Sequence, residues 1–120
     1  MDHSDEGIVV TCIDFRLQES INKWISEHFQ PKTYDRVALG GGVKNLDIIL
    51  SQIDIAVMLH RIKKVVLINH EACGAYGDEG SPEKHKIDLK ITRDKVKEFH
   101  SDLEIELYYL HLDGTFESVN

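Results

Sequence analysis

A chain of 120 residues with 42% hydrophobic side chains suits one folded domain, residues 1–120, and argues against intrinsic disorder. A net charge of −7 argues against the electrostatic footprint of a nucleic-acid binder and against anchoring to an anionic membrane. No apolar run reaches the ~18 residues of a membrane span. The acidic opening MDHSDEG has no signal-peptide or transit-peptide character, so the cytoplasm is the expected compartment. Thiols stay reduced there, so Cys12 and Cys73 are expected free or metal-bound rather than bridged.

Gly7 to Ile13 (GIVVTCI) reads as a short, β-branched, buried strand. Leu17 to Phe29 follows as a helix, with Leu17, Ile21, Trp24, Ile25 and Phe29 on one stripe, and Pro31 ends it. Tyr34 to Leu39 is a second strand, broken by Gly40-Gly41-Gly42. Asn45 caps a helix running to about Ile62. Its apolar residues wrap much of the circumference, so either the domain packs it from several directions or a partner subunit covers one face. Lys64 to Asn69 is a third strand, continuous and apolar as parallel interior strands are. A polar loop from Gly77 to Pro82 precedes a helix ending near His100. Glu104 to Leu112 is the fourth strand, Asp113-Gly114 a turn, and Thr115 to Val119 a candidate edge strand.

The order βαβαβαβ predicts an α/β fold. It has a mostly parallel four-stranded sheet, helices on both faces and room for a fifth edge strand. Ligand sites in such sheets form beyond the carboxyl ends of strands, where strand order reverses. If the first and third strands are central neighbours, Cys12-Ile13-Asp14 meets Asn69-His70-Glu71-Ala72-Cys73-Gly74.

Cys12, His70 and Cys73 are the sulfur and nitrogen donors that zinc prefers. The His-x-x-Cys separation lets one tight turn present two donors, and Cys12 arrives from the neighbouring strand end as the third. Three protein ligands leave the fourth tetrahedral position open, as in catalytic zinc sites. Taken singly, the two cysteines read equally as small buried hydrophobes and His70 as a satisfied loop histidine. Asp14 can accept a hydrogen bond from a metal-bound water, and Arg16 can hold Asp14 ionised and off the metal; the plainer alternative is a local ion pair. Gly40, Gly41 and Gly42 let backbone approach a ligand closely, although plain turn punctuation is a rival, and the Walker phosphate pattern is absent. Cys12 and Arg16 stand too close for the Cys-x5-Arg cradle of a thiol phosphatase. His3, His28, His60, His85, His100 and His111 read as surface or incidental residues.

Cys12-Ile13-Asp14-Phe15-Arg16 with His70-Glu71-Ala72-Cys73-Gly74 resembles the signature of the β-class carbonic anhydrases. Arg36 to Val43 and the tail LYYLHLDGTFESV are loosely similar to that family's central loop and last strand. The resemblance implies one zinc per chain on Cys12, His70 and Cys73, with Asp14 and Arg16 beside the fourth position. It implies a strand order 2-1-3-4, reversible hydration of carbon dioxide to bicarbonate, and a homodimer or larger homo-oligomer. The sequence reads as short for the family, without its N-terminal helical arm. Glycines replace the asparagines of the family loop, Asn69 stands where a glycine usually precedes the histidine, and Glu71 replaces a small hydroxyl residue. Two rival readings keep the scaffold and change the role. One is a zinc hydrolase acting on carbonyl sulfide or carbon disulfide; the other is a non-catalytic zinc-binding domain.

Overall fold

The structure is a computed structural model that describes residues 6–120; the opening MDHSD, and with it His3, lies outside the described residues. The elements are β1 (Gly7–Thr11), α1 (Gln18–His28), β2 (Tyr34–Ala38), α2 (Leu46–His60), β3 (Lys64–His70), α3 (Pro82–Phe99), β4 (Glu104–Leu110) and β5 (Phe116–Val119). They build an α/β fold with one five-stranded sheet, in the order β2-β1-β3-β4-β5. β1 pairs in parallel with β2 and β3, and β3 with β4; β5 returns antiparallel along β4.

Alternation along the strands feeds two cores. Ile8, Val10, Val65 and Leu67 point to one face, where α2 (Ile49, Ile53, Ala56) and α3 (Leu89, Val96) cover them. Val9, Val66 and Ile68 point to the other, against Ile21, Trp24 and Ile25 of α1. Burial of β1 and β3 on both faces is why they read as unbroken apolar runs. The chain leaves β1 toward β2 and leaves β3 toward β4, so the strand order reverses between β1 and β3. Their carboxyl ends therefore frame a cleft.

The caps follow local chemistry. The Asn45 side chain accepts from the Ile48 N–H, and the Ser81 side chain accepts from the Lys84 N–H with Pro82 as the first helical residue. The segment expected to be only a polar loop therefore ends inside α3, and it contains a 3-10 turn over Gly77–Glu79.

Several expectations need correction. The first and fourth strands stop two residues earlier than the apolar runs, at Thr11 and Leu110, because the chain there turns out of the sheet, closing on Asp14–Leu17 after β1 and on His111–Gly114 after β4. His70 is the last residue of β3 rather than the first of the loop. His85 is not a surface residue: it is fully buried, on the inward stripe of α3 with Leu89, Thr92 and Val96. His28 and His60 are exposed, with His28 stacked on Trp24; His100 and His111 are half-buried and face Asp54 and Glu117. Among the described residues, the rest of the domain covers α2 on one side only, leaving Ile48, Ile55, Met58 and Leu59 exposed, Met58 at 73%.

Candidate metal centre

Each ligand-bearing turn is tied down by its own backbone. Beyond β1, the Leu17 N–H donates to the Asp14 carbonyl, closing the turn that carries Asp14 and Arg16. Gln18 Nε2 donates to the carbonyls of Cys12 and Asp14, and Arg36 grips Gln18 Oε1 from behind. Arg36 thus serves the site through Gln18 rather than by touching it. Beyond β3, the chain reverses through Ala72 at φ +56°, a left-handed conformation that costs a non-glycine residue roughly 1 kcal/mol. Arg16 Nη2 donates to the Ala72 carbonyl at 3.0 Å and so links the two turns.

The turns bring Cys12, His70 and Cys73 together, all buried, with their ligand atoms within 4.8 Å of one another. The two sulfurs stand 3.9 Å apart. That is far beyond a disulfide bond of about 2.05 Å. It is close to the ~3.8 Å expected for two sulfurs at 2.3 Å from one tetrahedral ion. His70 Nδ1 lies 2.7 Å from the Glu71 carbonyl. A carbonyl only accepts, so Nδ1 carries the proton and Nε2 presents its lone pair. Nε2 is buried with no hydrogen-bond partner among the described residues. An orphaned nitrogen beside two thiols fits a thiophilic divalent metal.

Electrostatics favour thiolate at Cys12. Burial opposes its ionisation, but the neighbouring His70 ring and the Gly41 and Asp14 N–H groups outweigh this and hold the thiol at about 6. The Gly41 N–H to Cys12 Sγ distance is 3.3 Å. At Cys73, burial and the neighbouring Cys12 raise the thiol, while the Ala75 and Tyr76 N–H groups lie against its sulfur and favour the thiolate. At His70, burial is outweighed by Cys12, and the net shift is upward.

Asp14 and Arg16 form a forked pair. Arg16 Nε lies 3.1 Å from both Asp14 oxygens and Nη2 lies 2.6 Å from Oδ2. The guanidinium holds the Asp14 carboxyl at about 2. Asp14 Oδ2 stands 3.9 Å from His70 Nε2, close to the donor set but turned toward Arg16.

The glycines divide. Gly40 is exposed and lines the cleft with Cys12, Ile13, Asp14, Phe15 and Cys73. Gly41 is buried behind it and offers its N–H to sulfur. Gly42 faces away from the cleft, at φ +60°, and a Cβ there would lie 2.3 Å from Asn69 Oδ1. Glu71 also faces away, its Oε1 accepting from the Leu112 N–H.

Behind the donors lies a buried polar group, of which only Asn69 stands out in the sequence. Asn69 contacts the Val43 N–H, Tyr76 Oη and His85 Nδ1, and Tyr76 donates to Asp88. A signal for His85 was present: positions 85, 89, 92 and 96 share one helical stripe with Leu89 and Val96.

Comparison with known proteins gives a consistent result. A family model described as "Putative carbonic anhydrase" matches residues 3–120. An uncharacterized protein of Rickettsia conorii is 30% identical, over 93% of this chain and 70% of that protein. Among solved structures, a carbonic anhydrase from Glaciozyma antarctica aligns with a TM-score of 0.72 at 15% identity, covering 98% of this chain and 83% of that one. A pair of tetrameric beta-carbonic anhydrases from Sordaria macrospora gives 0.62 at 14% identity, covering 96% and 80%. The apo form of a carbon disulfide hydrolase gives 0.60 at 15% identity, covering 95% and 78%.

Proposed function

The chain belongs to the carbonic anhydrase family, and from that premise we propose that it catalyses the zinc-dependent, reversible hydration of carbon dioxide to bicarbonate. The observation that carries the reading is the donor set itself: Cys12, His70 and Cys73 converge, with a buried imidazole nitrogen that nothing else among the described residues satisfies. These residues would hold one zinc ion per chain, which supplies a Lewis acid that acidifies a water molecule toward neutrality.

The chain's own residues supply the rest. Asp14, kept ionised by Arg16, accepts a hydrogen bond from the attacking water and orients it toward the carbon. Arg16 also keeps Asp14 from turning onto the metal. Gly40, Gly41 and Gly42 form the substrate-binding loop: Gly40 borders the cleft, while Gly41 and Gly42 set the backbone behind it. Ile13 and Phe15, 61% and 88% exposed at the rim, suit an apolar gas. The single sheet of the described residues acts as one zinc domain. The cytoplasm, where thiols stay reduced, suits a site built on two of them.

Exposed Ile48, Ile55, Met58 and Leu59 favour a homodimer or larger homo-oligomer that covers α2. The helix carries more apolar surface than its own domain buries, and the Sordaria macrospora neighbours are tetrameric.

Stopped-flow carbon dioxide hydration tests the proposal. Zinc-loaded protein is expected to exceed a Cys73→Ser control by orders of magnitude, and equal rates would defeat it. A second reading, hydrolysis of carbon disulfide or carbonyl sulfide, is favoured by the likeness to a carbon disulfide hydrolase and by the apolar rim. Sulfide release in the same preparation separates the two.

A further inference from the structure

Asn69 sits one residue before His70, and its side chain is 1% exposed. The Val43 N–H can only donate, and it lies 3.1 Å from Oδ1, so the amide orientation is fixed. Nδ2 then has two protons to place. One goes to Tyr76 Oη at 3.0 Å and the other to His85 Nδ1 at 2.9 Å. Tyr76 therefore accepts from Asn69 and keeps its own proton for Asp88 Oδ2, at 2.8 Å. His85 accepts at Nδ1 and carries its proton on Nε2. One backbone N–H thus sets the direction of every hydrogen bond in this buried group.

The ends of that group lie against the two thiols. Through Val43, Asn69 fixes the glycine loop, whose Gly41 N–H donates to Cys12 Sγ. Through Tyr76, it fixes the turn that the Tyr76 N–H closes on the Cys73 carbonyl at 3.1 Å, and so where the Ala75 and Tyr76 N–H groups stand against Cys73 Sγ. The Tyr76 ring itself packs with both cysteines in one buried cluster. The fit is tight: Asn69 Oδ1 occupies the space that any side chain at position 42 would need.

We propose that Asn69 is a positioning residue that sets the backbone N–H bonds to both thiolates at once, and through them the affinity and electronic character of the metal site. N–H donors draw charge from a thiolate sulfur, so their placement governs how much negative charge the ligands pass to the ion. The inference rests on Cys12, His70 and Cys73 holding a metal.

Cobalt(II) titration of wild type, Asn69→Ala and Tyr76→Phe decides it, with a zinc affinity measured by chelator competition and a thermal melt for each protein. The thiolate-to-cobalt charge-transfer band reads the sulfurs directly. In Asn69→Ala the band is expected to shift and metal affinity to fall about 10–100-fold. Tyr76→Phe keeps the ring and removes only the hydroxyl; it is expected to move both readouts in the same direction by less. It also keeps the test decisive if Asn69→Ala does not fold. A wild-type band and affinity in either variant, even with a lowered melting temperature, would overturn the inference and leave the metal site standing. Absence of any thiolate band in the wild type would instead overturn the metal site.

Discussion

Replacing His85 with glutamine should flatten part of the acid sensitivity of the fold. His85 is fully enclosed, its Nδ1 accepts from Asn69, and Tyr76 and Tyr109 flank the ring. Burial, aided by repulsion from His70 and only partly opposed by Asp88, lowers its pKa from 6.5 to about 4. The sign follows from linkage. The unfolded chain protonates this histidine as pH falls below its ordinary value, while the folded chain refuses the proton until about 4. The stability it contributes is complete above 6.5 and is lost as pH falls through about 4. At 1.36 kcal/mol per pH unit, the gap amounts to about 3 kcal/mol. Urea unfolding of both proteins between about pH 7 and pH 4.5 measures it. Wild type should lose stability more steeply than His85→Gln, and the two curves should converge toward acid. Parallel curves would refute the reasoning, because they would mean that His85 takes up its proton as readily folded as unfolded.

Other substitutions separate chemistry from scaffolding. Asp14→Asn should leave zinc content unchanged and lower kcat/KM for carbon dioxide hydration by roughly 10²-fold; full activity in steady-state assays would remove Asp14 from the mechanism. Gly42→Ala should destabilise by roughly 2–4 kcal/mol in urea unfolding, since its Cβ meets both Asn69 Oδ1 and the Ile68 carbonyl at positive φ. Gly74→Ala, with nothing within 4 Å of its Cβ, should stay within about 0.5 kcal/mol of wild type. Met58→Asp, placed on the exposed apolar side of α2, should shift sedimentation toward smaller species without lowering the cooperativity of unfolding; an unchanged sedimentation coefficient would assign the contact to another surface.

Much of this architecture can be read from the chain because its signals are local. GIVVT and KVVLIN are unbroken apolar runs since β1 and β3 are covered on both faces, and Asn45 sits where its own helix needs a cap. The positions of Cys12, His70 and Cys73 follow from one rule, that chemistry gathers where parallel strands end and their order reverses. What escapes the sequence is direction. No spacing tells that Arg16 reaches across to the Ala72 carbonyl, that Gly42 turns its back on the cleft, or that Glu71 points to Leu112. His85 escapes for another reason: its polarity argues for the surface while its helical position argues for the core. Position prevails with Asn69 satisfying Nδ1 and the Tyr76 and Tyr109 rings packing on the imidazole, while Nε2 is left without a hydrogen-bond partner among the described residues. The exposed side of α2 shows the converse, an apolar surface that one chain does not bury.

Elemental analysis of protein purified without chelator, wild type beside Cys12→Ser and His70→Ala, bears most directly on the site. About one zinc per wild-type chain, lost from both variants while their secondary structure persists, is the expected result. Wild-type protein without zinc, or variants that retain it in full, would contradict a metal centre built from these side chains.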